Sequence, residues 1–147
     1  MQPLRAALLA LPLLACAADP AGDYLFGFGD PVRGAALYAP QRLGNMAQYR
    51  GDPAGAALAA AQLEFLTQQF DTNPRYAPEV NPAVTHQLHV ARAEMRAAIG
   101  MAPDTPPEVA ITLLRRAAAA LRAGRLEVAE AALSGPAFPL GPRATLA

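Results

Sequence analysis

The chain has no tryptophan and no lysine, one cysteine, one serine and two histidines in 147 residues. Each shortage removes a class of chemistry. A single cysteine forms neither an internal disulfide nor a CxxC redox pair. Ser134, the sole serine, stands in a Ser-Gly-Pro sequence, a poor setting for a nucleophile that needs a base held beside it. Without lysine there is no Walker motif, and the G-x-G-x-x-G spacing is also missing, so no phosphate cradle is expected. Twelve arginines supply every cation and twelve acids balance them, which gives no reason to expect a nucleic-acid partner.

Alanine, proline and glycine are present in excess: 36, 15 and 11 residues. They make the 53% hydrophobic fraction misleading, because Leu, Ile, Val and Phe, which supply most buried area, are only about 22% of the chain. That is close to the level below which chains fail to offset the entropy of ordering. One domain with a thin core is expected.

The amino end carries Arg5 and then nine residues without a polar group, 6–14, interrupted by Pro12. This has the form of a secretory signal; the run is less than half the roughly 20 residues that a membrane-crossing helix needs. It ends in Leu13-Leu14-Ala15-Cys16, which resembles the lipobox of bacterial lipoproteins. The resemblance covers only these first residues. It implies acylation of the Cys16 thiol, cleavage between Ala15 and Cys16, and a membrane anchor through the lipid. Ala17 in place of Asp after the cysteine implies forwarding to the outer membrane, facing the periplasm. The alternative is an ordinary signal cut at the A-x-A site Ala15-Cys16-Ala17, leaving a soluble periplasmic protein. Several acyl chains on Cys16 would hold the chain stably, since each buried methylene contributes about 0.8 kcal/mol.

The pattern divides the chain into a signal (1–15), a lipid-attached tether with an irregular segment (16–51), a helical domain (52–134) and a Pro/Gly-rich tail (135–147). Within 16–51, Asp30-Pro31 opens a turn or two of helix that ends before Pro40. Asp52-Pro53 starts a first helix over 54–70, with Leu58, Ala61, Leu63, Phe65, Leu66 and Phe70 on one face and Glu64, Thr67 and Gln68 opposite. Asn81-Pro82 opens a second, whose Val84, Leu88, Ala91, Met95 and Ile99 form the best apolar stripe in the chain, closed by Gly100 in a left-handed cap. Thr105 and Glu108 read as a capping box for a third helix over 106–123, with Val109, Leu113, Ala117, Ala120 and Leu121 inward. Gly124 turns the chain into a short fourth helix over 125–133, so the last two form a hairpin. No stretch alternates with period two. The expected class is all-α, a small bundle of about four helices. Helices three and four resemble a tetratricopeptide unit through Ala117, Gly124, Ala129 and Leu133, but an array needs about three units, and hairpin geometry alone explains the likeness.

Few residues offer chemistry. His86 and His89 stand three apart, a spacing that lets two imidazoles share a metal, yet they project toward Arg92 and Arg96 on a cationic face. They are weak metal candidates, and no metal or other cofactor is expected. Glu127 and Glu130 read as surface ion-pairing residues. Tyr24, Phe26 and Phe28 lie just after the tether and either pack on the helices or meet an envelope partner. No catalytic constellation emerges. The reading is a lipid-anchored envelope lipoprotein with a non-enzymatic structural or protein-interaction role. The alternative is a periplasmic helical module binding a small apolar ligand around Phe65, Phe70, Met95 and Met101.

Overall fold

The computed structural model describes residues 29–146, and the fold is an all-α small bundle. Its helices are α1 (Pro31–Leu43), α2 (Pro53–Thr72), α3 (Pro82–Ala98), α4 (Pro107–Arg122), α5 (Leu126–Ala132) and α6 (Gly141–Leu146), with a 3-10 turn over Met46–Tyr49. The first three helices begin alike. Asp30 accepts hydrogen bonds from the Val32 and Arg33 amides, Asp52 from Gly55, and Asn81 from Ala83, each followed by proline in the first turn. The side chain satisfies an orphan donor, and proline costs nothing where its missing N–H had no partner. Gly100 and Gly124, both at φ 66, supply the left-handed turns that end α3 and α4.

Helix α1 does not end before Pro40; it runs on to Leu43 with the proline inside. One backbone bond is lost there, but the last turn is held from outside. Gln48 donates to the Gln41 and Arg42 carbonyls and the Tyr49 hydroxyl to Arg42, while Leu43 packs beyond the proline against the core cluster that contains Phe65 and Leu66. The packed body therefore begins before residue 52. It also continues past 134, because Phe138 is only 1% exposed and among the largest fully buried side chains, and α6 follows it.

The Thr105/Glu108 capping box does not form. Helix α4 starts one residue later, with Pro106 at φ −56, ψ 137 as its N-cap and no side-chain cap bond. Pro107 is the cause: a residue before proline is pushed out of the helical region. The inward face also differs. Ala110, Ile111, Leu114, Ala117, Ala118 and Ala120 are buried, whereas Val109 is 41% exposed.

The largest difference lies in α2, which is not amphipathic. Every residue from 59 to 67 is buried, including Gln62, Glu64 and Thr67. Helix α2 is the centre of the bundle, with α1, α3 and α4 packed around it. Ala60 and Ala61 join Ala110, Leu114, Ala117, Leu133 and Phe138 in one core cluster; Phe65 and Leu66 join Val32, Ala35 and Ile111 in a second. Its buried polar groups are bonded inside, except that Gln62 Oε1 has no partner. The Thr67 hydroxyl donates to the Leu63 carbonyl and Gln62 Nε2 to the Ala35 carbonyl on α1. Glu64 receives a bidentate pair from α3, Arg96 Nε to Oε1 at 2.6 Å and Nη2 to Oε2 at 2.8 Å, while Arg96 Nη1 donates to the Pro103 carbonyl at 2.6 Å.

Removing one member of a buried ion pair strands a charge and costs about 3–5 kcal/mol, whereas replacing both with apolar groups is often neutral. Arg96→Met should therefore lower the urea unfolding free energy by about that amount. Glu64→Leu combined with Arg96→Met should recover most of the loss, the remainder reflecting the Pro103 carbonyl.

Candidate functional site

The apolar stripe of α3 forms the wall of a groove. Arg96 is the only buried residue of α3; Val84 is 46% exposed, and Leu88, Ala91, Met95 and Ile99 are half-buried. Two polar pairs fix α3 against α2, while Met95 and Ile99 pack at the edge of the first core cluster. Arg96 holds α3 at Glu64, and His89 Nε2 meets Asp71 at 2.9 Å nearer the other end. Pairing 96 with 64 and 89 with 71 makes the helices antiparallel and leaves the stripe turned beside the contact.

The space beside that contact is a cavity of about 780 Å³. Ala59, Ala60 and Leu63 of α2 form its floor, Leu43 and Met46 one wall, and α3 from Ala83 to Ile99 the other. Sixteen helical steps make that wall about 24 Å long. Gln87 and Glu94 are the lining residues with polar side chains; the rest are Ala, Val, Leu, Ile or Met. The volume falls in the roughly 300–1,000 Å³ range of small-molecule sites.

The residues proposed for a ligand pocket from sequence do not converge. Met101 and Phe65 are buried in separate core clusters and Phe70 packs beside the second; Met95 alone lines the groove. His86 is exposed. His89 is engaged on both nitrogens, with Arg92 Nη2 donating to Nδ1 at 3.0 Å and Nε2–H donating to Asp71. Among the described residues no group of three or more His, Cys, Asp or Glu is placed to hold a metal. The Ser134 hydroxyl donates to the Glu130 carbonyl. Ala15, Cys16 and the aromatic trio Tyr24, Phe26 and Phe28 lie outside the described residues. Among the described residues, no helix is long and apolar enough to cross a membrane.

A second polar cluster closes the other end of α1. Besides capping that helix, Asp30 accepts from the Tyr76 hydroxyl and from Arg75 Nη1 at 3.2 Å, and the Arg75 guanidinium lies 5.3 Å from the Tyr76 ring centre. All of Asp30's acceptor capacity is engaged within the fold, so the cluster reads as a clasp between α1 and the α2–α3 connection. The hydrogen bond from Tyr76, helped by the Arg33 and Val32 amides and Arg75, holds the Asp30 carboxyl below its ordinary 3.8. The same bond raises the Tyr76 phenol above its ordinary 10.0.

Ionised Asp30 therefore stabilises the fold above pH 3.8, and this is lost as pH falls through its lower folded value. Protonated Tyr76 stabilises it below pH 10.0, and this is lost as pH rises through its higher folded value. In an absorbance titration, Tyr76 should ionise late, above pH 10.0. Asp30→Asn, which keeps the helix cap, should abolish the late phase, as should Tyr76→Phe.

No family model, curated protein or solved structure matches the chain.

Proposed function

We propose that the chain is a lipid-anchored bacterial envelope lipoprotein whose helical domain has a non-enzymatic, binding role on the periplasmic side of the outer membrane. The anchor half rests on the sequence. The sole cysteine closes the apolar run, in the Leu13-Leu14-Ala15-Cys16 pattern.

The binding half rests on the groove. A stripe of large apolar side chains left half-exposed along an otherwise folded helix marks an interaction site, and here it lines a cavity of ligand size. Catalysis finds less support. The groups suited to chemistry are engaged structurally: Glu64 by Arg96, His89 by Asp71 and Arg92, Ser134 by Glu130. Glu94 is the one titratable lining residue, without a second group to share acid and base work. Between a protein partner and a small apolar ligand, the cavity favours the ligand, though not through Phe65, Phe70 and Met101.

Intact mass and detergent partitioning of protein from a bacterial host, beside a Cys16→Ser variant, test the anchor. The wild type should begin at Cys16, carry diacylglyceryl and acyl mass, and enter the detergent phase, while the variant stays aqueous. An unlipidated, aqueous wild type would replace the anchor with secretion as a diffusible binder.

A further inference from the structure

We infer that the groove beside α3 takes a single acyl chain of a zwitterionic membrane phospholipid, its head group left in water. This rests on the reading of the groove as a binding site and names its ligand class.

Three observations select hydrocarbon. The lining has no aromatic side chain and no cluster of donors; one amide, Gln87, and one carboxylate, Glu94, are its polar groups. Small-molecule sites orient polar ligands with a few convergent polar groups, so a groove without them recognises a segment that has none. The floor is formed by Ala59, Ala60 and Leu63, about 6 Å of α2 beneath a wall about 24 Å long. A floor and walls of aliphatic side chains suit a flexible hydrocarbon chain. Met46 and Met95 at the walls supply adaptable packing for an occupant without fixed shape.

Charge weighs against one competitor. Glu94, the sole charged lining group, opposes a free fatty acid, whose carboxylate would be drawn toward a like charge; an acyl chain esterified in a neutral-headed lipid carries no such penalty. The supply of chains is a matter of reach. Thirteen residue steps separate Cys16 from Gly29, at most about 45 Å extended, so a domain tethered at Cys16 stays beside the bilayer.

Full-length protein is incubated with phosphatidylcholine vesicles whose acyl chains carry a photoactivatable diazirine, irradiated, and mapped by peptide mass spectrometry. Label should concentrate on α3 between Val84 and Ile99 and on Leu63. Ala91→Trp, which fills the groove from a half-exposed position, should cut that label at least tenfold. Leu37→Gln, removing an apolar side chain 74% exposed elsewhere, should leave it unchanged, and circular dichroism should show both variants folded. Label spread equally over Leu37, Leu126 and Leu140, or label in the groove unaffected by Ala91→Trp, would overturn the inference. So would palmitate displacing the label as well as unlabelled phosphatidylcholine does, or a dimer that Ala91→Trp dissociates, which would make a second copy the occupant. The Cys16→Ser protein separates the two readings. Groove labelling that persists in an unanchored chain supports the inference even where the anchor fails, and a lipidated wild type with an unlabelled groove retains the anchor and removes the acyl site.

Discussion

Arg96 reaches from α3 into the bundle with three hydrogen bonds, two to Glu64 and one to the Pro103 carbonyl. Burial of apolar area is non-directional and would accept many rotations of one helix on another. A guanidinium fork on a carboxylate accepts few, because both N–H bonds must lie in one plane with both oxygens. The pair therefore decides which flank of α3 meets α2. Met95 lies about 100° around the helix from Arg96, and with Arg96 inward the stripe to which Met95 belongs is held at the edge of the contact. The groove is a consequence of that rotation.

Around this constraint the bundle is built largely from alanine. Ala60 and Ala61 face Ala110 and Ala117 with almost no exposure, an interface that brings backbones close and adds strong helix propensity but little area per residue. Bulk comes from few side chains, chiefly Phe138, Leu66, Leu114 and Leu133. One of them stands in the Pro/Gly-rich tail. A core so sparsely supplied recruits both ends of the described chain, α1 before α2 and Phe138 with α6 after α5, to cover a central helix that is polar in places and fully buried from 59 to 67.

How much of this is legible in the sequence depends on the range of the interaction concerned. Local rules read Asp30-Pro31, Asp52-Pro53 and Asn81-Pro82 correctly as helix starts, and Gly100 and Gly124 as stops, because capping is settled within four residues. They fail at Thr105, where a second proline moves the start by one position, and at Pro40, where support comes from Gln48 and Tyr49 across a turn. Glu64 is misread for a different reason. Periodicity assigns a charge to the outside unless its partner is known, and Arg96 stands 32 residues away. The one available signal was composition: Glu64 sits between Leu63 and Phe65 in a helix with apolar residues on nearly every side. The α3 stripe was visible as a pattern, but a pattern cannot separate a core face from the wall of a cleft, since both require the same residues.

The clasp at Asp30 has a mechanical meaning. Gly29 leads directly into Asp30, whose carboxylate is bonded to the first turn of α1 and to Tyr76 and Arg75 on the connection between α2 and α3. A pull on the chain from its amino side does not simply peel α1 away from its end. The load divides at one side chain, part passing along α1 and part across to residues 75 and 76, so that several bonds must yield together before the first helix is drawn off.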